Sequence, residues 1–139
     1  MTTTTRVPIF GIDPDAHRAD GTPAPIDRAA LQRIADTMTR KMTELPGWRA
    51  AVTSCNTRNL DNDDQPEPEV LGYVDRVWVE DDRLLADLSW RDKHADQIPI
   101  RRWFTPELWT IRETDEQHID PVVAHATREE IKANCSWIQ

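Results

Sequence analysis

The stretch WFTPELW, residues 103–109, raises the question of whether a side chain in this sequence carries out covalent chemistry. Thr105 stands before a proline, and a threonine hydroxyl is a nucleophile only when a base accepts its proton. The four histidines, His17, His94, His118 and His125, are scattered along the chain. No G-x-S-x-G, P-loop or H-E-x-x-H motif is present. Spacing alone therefore identifies no catalytic constellation.

Composition limits the classes of function. The chain has 139 residues and a formal net charge of −8, which predicts one domain and argues against a protein that contacts nucleic-acid phosphates. The same charge disfavours an anionic membrane surface, and no apolar run has membrane-spanning length. The N-terminus lacks the apolar core of a signal peptide. We expect a soluble cytosolic protein with free thiols at Cys55 and Cys135.

A turn-rich segment, residues 11–25, is the only candidate for a metal site. Its possible ligands are Asp13, Asp15, His17 and Asp20. The spacing fails the EF-hand pattern, because Gly21 falls too late and no distal glutamate closes the loop. We therefore expect a solvated loop and no bound metal or cofactor.

One helix and several strands should position any site. After a flexible tail at 1–6, we expect a single domain over 7–139, with a short strand at 7–10. Asp27 caps a helix over 28–45 whose apolar residues recur at spacings of three and four. Pro46-Gly47 ends that helix. Further strands are expected at 48–55, 107–112 and 118–125, and a helix at 91–98.

The clearest strand signal is a hairpin over 70–90. Its first strand is apolar on both faces, so it should lie inside the sheet, while the second alternates apolar and polar residues. Thr127 and Glu130 form a capping box that should open a final helix. These patterns indicate an α+β class, with a mostly antiparallel sheet and two or three helices.

The order of these segments resembles the prohead proteases of tailed phages, the Mu-like protease/scaffold branch in particular. The resemblance covers residues 9–126 and rests on FGIDPDAHRADG (10–21), IDRAALQRIA (26–35), the hairpin from 71 to 90, ADQI (95–98) and RWFTPEL (102–108). It implies an assemblin-like fold, a small β-barrel flanked by helices, with a serine–histidine site. The family serine lies in an aromatic-Ser-Pro-Glu motif, so the resemblance places Thr105 at the nucleophile.

The sequence departs from that family twice at the same site. A threonine replaces the serine, and no histidine occurs from residue 18 to residue 93, so Cys55 or Asn56 occupies the place of the family histidine. His94, His118 or His125 would have to supply the base from elsewhere. Thr105 also has a structural interpretation, because a residue before proline prefers extended backbone, which a β-branched side chain suits.

The expected function follows from this resemblance and its departures. We expect a non-catalytic phage virion or capsid-assembly protein that binds capsid or scaffold proteins, in the host cytoplasm during assembly or in the virion. The alternative is an active, divergent prohead endopeptidase with Thr105 as nucleophile. An acidic adaptor module and a homo-oligomer are also left open.

Two surfaces are candidates for partner binding. One combines arginine with tryptophan, the composition enriched at interface centres; it consists of Arg101, Arg102, Trp103 and Trp109. The other is an acidic loop over 56–69, which contains Asp61, Asp63 and Asp64 and could steer a basic partner.

Overall fold

The structure, a computed structural model, describes residues 3–17, 21–55 and 67–130. The described residues include six strands, an α-helix, a 3₁₀ helix and, at residues 128–130, the start of a further helix, which confirms the α+β class. In chain order the strands and the first two helices are β1 (Thr3–Gly11), α1 (Arg28–Glu44), β2 (Ala51–Thr53), β3 (Val70–Glu80), β4 (Arg83–Trp90), the 3₁₀ helix (Asp92–Gln97), β5 (Trp103–Thr110) and β6 (Gln117–His125).

The six strands form one mixed sheet in the order β1-β4-β3-β2-β6-β5. The expectation of a mostly antiparallel sheet is wrong, because β2 and β6 pair in parallel. The chain reaches β6 only after the β3–β4 hairpin and β5, so β6 returns beside β2 in the same direction. The sheet curls, and β1 and β5 at its two ends have Cα atoms within 8 Å of each other.

Helix α1 forms where the sequence predicts it. The Asp27 carboxylate accepts a hydrogen bond of 2.7 Å from the Ala30 amide, and Gly47 has a φ of +87° just beyond the helix end. Leu31 and Met38 are fully buried against the sheet, whereas Leu45 at the end of the apolar stripe is 50% exposed. The helix packs against β3, β4 and β6 and covers the core there.

The β3–β4 hairpin confirms the prediction of an interior strand, since β3 lies between β4 and β2. Asp81 and Asp82 both have positive φ angles, as a two-residue type I′ turn requires. The register shifts between Val74 and Arg76. This bulge changes which residues of β3 face inward, so both Val74 and Val77 are buried despite their odd spacing.

Three segments differ from the sequence-based expectation. β1 begins at Thr3, so residues 3–6, expected in a flexible tail, pair with β4. The helix expected over 91–98 is a 3₁₀ helix. β5 begins at Trp103, four residues before the expected strand, and therefore includes Thr105 and Pro106. A proline within a strand is compatible with an edge position, which β5 has.

Candidate functional site

Strands β5 and β6 bring a hydroxyl and an imidazole together. Thr105 pairs with Val123, and His125 pairs with Trp103, so Thr105 and His125 are diagonal neighbours on adjacent antiparallel strands. Side chains two residues apart on a strand share a face, and diagonal neighbours across a pair can reach each other. Thr105 Oγ1 lies 2.8 Å from His125 Nε2. The histidine most distant in sequence from Thr105 among the three expected bases is therefore the one that contacts it.

The environment of His125 favours its neutral form. Its side chain is completely buried, and burial lowers the pKa of the imidazole below its ordinary value of 6.5, while nearby Glu130 raises it and Arg101 lowers it. Neutral imidazole has one ring nitrogen that accepts and one that donates. A neutral His125 whose Nε2 accepts the Thr105 hydroxyl proton has the protonation state that a general base requires.

The other ring nitrogen of His125 has no hydrogen-bond partner among the described residues. In serine–histidine–aspartate sites a third group accepts the Nδ1 proton and holds the ring. Here the described residues provide a pair rather than a triad. The amide after the nucleophile often helps to bind the oxyanion, but Pro106 has no N–H, so the oxyanion donors of such a site must come from other positions.

The backbone around His125 is held firmly. Arg101 donates to the Ala124 carbonyl at 2.9 Å and to the Glu130 carboxylate at 2.8 Å, and that carboxylate accepts from the Ala126 amide at 2.8 Å. The Arg102 amide donates to the His125 carbonyl at 3.0 Å. The Glu130 amide also bonds the Thr127 hydroxyl at 3.2 Å, and helix begins at residue 128, as the predicted capping box requires.

The other two candidate bases lie in different surroundings. His94 is buried in the 3₁₀ helix, with Nε2 3.0 Å from Glu69 Oε1 but without the alignment of a hydrogen bond. His118 pairs with Trp109 and packs edge-on against Trp48. Burial lowers the pKa of His118, Lys41 lowers it further, and Asp120 raises it.

Strand β2 lies beside β6 and leads into the region, Cys55 and Asn56, where the sequence resemblance implies a histidine that this chain lacks. Thr53 pairs with Val123, which pairs on its other side with Thr105, so the three residues form one row across the sheet. Beyond Thr53, the chain continues to Cys55, which is buried and whose carbonyl accepts the Thr53 hydroxyl at 2.9 Å. Asn56 lies outside the described residues. The position at which the resemblance implies a histidine therefore lies near this site, but residue 55 is a cysteine and supplies no imidazole.

The four residues of the expected arginine–tryptophan surface do not form one exposed surface, because two of them are partly buried. Arg101 is engaged within the protein by Ala124 and Glu130, and its side chain is only 16% exposed. The Trp109 indole is half-buried and donates to the Asp120 carbonyl at 2.7 Å. Arg102 and Trp103 remain exposed, next to Ile100, which is 51% exposed. Of the acidic loop, Asp61, Asp63 and Asp64 all lie outside the described residues.

Sequence reasoning missed two carboxylates near this site. Glu107 is fully buried at the bulge where the β5 register shifts between Pro106 and Leu108. Glu130 was expected only as a helix cap, although it also holds Arg101 and the Ala126 amide. The local sequence pattern indicates neither the burial of Glu107 nor the contacts of Glu130 with Arg101 and Ala126.

A cavity of about 490 Å³ among the described residues lies away from the hydroxyl–imidazole pair. It lies between α1 and the turn before β6, and its lining includes Arg33, Thr37, Arg40 and Glu116 but not Thr105 or His125. The described part of the chain contains no group of three or more potential metal ligands. None of its helices is long and apolar enough to cross a membrane.

No protein-family model, curated protein or solved structure matches this chain.

Proposed function

We propose that this protein is an endopeptidase of phage capsid assembly, a divergent form of the prohead-protease type with an assemblin-like fold. The observation that carries the proposal is the 2.8 Å contact between Thr105 Oγ1 and His125 Nε2. It supplies a base for the residue that the sequence resemblance places at the nucleophile. The polypeptide substrate would be a capsid or scaffold protein in the host cytoplasm during assembly.

The reaction is an acyl transfer in two steps. His125 Nε2 accepts the hydroxyl proton as Thr105 Oγ1 bonds to the scissile carbonyl carbon, and the resulting imidazolium then donates that proton to the leaving amine. The product of this step is an ester on Thr105. In the second step His125 accepts a proton from water, the hydroxide attacks the ester, and Thr105 regains its proton from His125.

The burial of His125 suits the first of these steps. Because burial lowers the pKa of its imidazole, the neutral base is the form present at neutral pH. The rate should rise with pH through the pKa of His125 and then reach a plateau. The acid limb of kcat/KM should therefore lie below pH 6.5, the ordinary pKa of imidazole.

The test combines cleavage with chemical labelling. The purified protein is incubated with the major capsid and scaffold proteins of the phage that encodes it, and separately with a fluorophosphonate probe followed by peptide mass spectrometry. We expect specific cleavage products and a probe adduct on Thr105. Thr105→Val and His125→Gln should each lower the rate by about 10⁴-fold or more, the loss typical of a nucleophile–base pair.

Two variants serve as controls. Thr105→Ser retains a hydroxyl and should remain active, whereas Thr110→Val makes the same change as Thr105→Val at another position of β5 and should leave the rate unaltered. Cleavage that survives in Thr105→Val would overturn the proposal. So would the absence of both cleavage and labelling in the wild-type protein.

A non-catalytic assembly element is the second candidate function, and the exposed residues around Trp103 favour it. Trp103 is 37% exposed and Ile100 is 51% exposed, with exposed Arg102 between them. Exposed tryptophan and arginine are common anchors of protein interfaces. If this is the function, immobilised wild-type protein should capture the capsid or scaffold protein intact. Trp103→Ala should then shorten the lifetime of that complex, and Thr105→Val should leave it unchanged.

A further inference from the structure

Arg101 and Glu130 surround the backbone of His125 from both sides. Arg101 precedes β5, and Glu130 lies in the helical turn after β6. Their side chains form an ion pair of 2.8 Å, and between them they bond the peptide groups on either side of His125, the Ala124 carbonyl and the Ala126 amide. The Arg101 side chain is mostly buried, whereas the Glu130 side chain is 36% exposed, so the pair lies at the protein surface with its arginine turned inward.

The ring of His125 needs an orienting influence because no side chain bonds its Nδ1 among the described residues. A ring without that bond is oriented by its backbone position, its packing and its contact with Thr105. Misplacement of a reacting group by about 1 Å can cost about 10²-fold in rate. The distance between Thr105 and His125 therefore depends on how firmly the backbone at residues 124–126 is held.

We infer that Arg101 and Glu130 are positioning residues, which hold the His125 backbone so that Nε2 meets the Thr105 hydroxyl. This inference rests on the proposed function for its effect on rate, but not for its effect on the imidazole. Neither side chain bonds the ring, so neither takes part in proton transfer. Their task is the one that an acidic third residue performs in a triad, carried out through the main chain.

The pair also acts on the charge of His125. Glu130 raises the pKa of the imidazole and Arg101 lowers it. The strand pairings also place Thr105 and Trp103 against His125, and both of these side chains are uncharged. Buried Glu107 lies farther along β5. Removing the two charges one at a time should therefore shift the titration of His125 in opposite directions.

The experiment measures the tautomer and the titration of the His125 imidazole by heteronuclear NMR, with ¹⁵N and ¹³C chemical shifts recorded against pH in folded protein. Glu130→Gln keeps an oxygen that can accept from Ala126 and Arg101 but removes the charge, so the pKa of His125 should fall while the tautomer stays the same. Arg101→Met should raise the pKa and loosen the contact of Nε2 with Thr105. Glu130→Ala should disturb both the tautomer and the titration.

Matched controls lie next to Glu130 in the chain. Glu129→Ala and Arg128→Met remove a negative and a positive charge from exposed side chains, and both should leave the His125 spectrum and the cleavage rate unaltered. In an active enzyme, Glu130→Ala should lower kcat by at least about tenfold, whereas Glu130→Gln should stay within about threefold and move the acid limb to lower pH.

Two results separate this inference from the proposed function. If wild-type protein neither cleaves nor takes the probe, the proposed function fails, and the NMR titration still decides the positioning role. If Glu130→Ala and Arg101→Met remain folded with the wild-type tautomer and titration of His125, the positioning role is overturned, whether or not the wild-type protein cleaves.

Discussion

The hydrogen bond between Thr105 and His125 should be measurable as stability, independent of any activity. Replacing Thr105 with valine keeps the shape of the side chain and removes the hydroxyl. The buried imidazole would then have no partner at either nitrogen among the described residues. Leaving one buried polar atom unsatisfied costs about 1–3 kcal/mol.

A methyl group in place of the hydroxyl offsets part of that cost. Full burial of a methyl-sized group contributes about 0.8 kcal/mol, and Thr105 is half-buried, so the offset is roughly half of this, about 0.4 kcal/mol. The free energy of unfolding should therefore fall by about 0.6–2.6 kcal/mol in Thr105→Val. The same substitution at Thr110 removes a buried hydroxyl that has no partner among the described residues. That variant should be as stable as wild type or more stable.

The assay is urea unfolding of four proteins that form a double-mutant cycle: wild type, Thr105→Val, His125→Phe and the double variant. In the His125→Phe background, Thr105→Val removes no hydrogen bond, so its cost should disappear. The methyl contribution is the same in both backgrounds and cancels, so the expected coupling energy equals the cost of the lost bond, about 1–3 kcal/mol. A coupling below about 0.3 kcal/mol, which is within the additivity of independent sites, would refute the contact. Equal destabilisation by Thr110→Val would refute the reasoning about unsatisfied groups.

Three other predictions concern the whole fold. His118 and His125 both have lowered pKa values in the fold, so their contribution to stability is complete above about pH 6.5, the unfolded value, and is lost as pH falls toward the folded values. Urea unfolding against pH should show a decline of up to about 1.4 kcal/mol per pH unit for each group, and a flat profile from pH 7 to pH 5 would contradict it. A Cβ at Gly72 would lie 2.1 Å from a β4 carbonyl oxygen, so Gly72→Ala should lower the thermal midpoint sharply or prevent folding, and a variant as stable as wild type would show that the strands can separate there. Amide exchange should be slow at residues 74–79, and fast exchange there would overturn the assignment of β3 as the interior strand.

Local patterns were sufficient for much of the fold. Asp27, the apolar spacing after it and Gly47 define α1, because capping and helical periodicity act within a few residues. The alternation in β4 and the acidic turn before it likewise specify the hairpin. The segment predicted as a helix over 91–98 is a 3₁₀ helix, and β5 begins four residues before the predicted strand at 107–112. Element ends and helix type depend on packing that a local pattern does not contain.

The candidate site shows most clearly what only tertiary structure decides. The sequence by itself determined that Thr105 precedes a proline in an extended segment, and that no histidine occurs close to Cys55 along the chain. It could not choose among the three remaining histidines, because twenty residues separate Thr105 from His125. That choice follows from the register of β5 on β6, which places the two side chains diagonally, and from the parallel pairing of β6 with β2. Register is set by burial of one face of the whole sheet, so the contact exists only once the sheet has assembled.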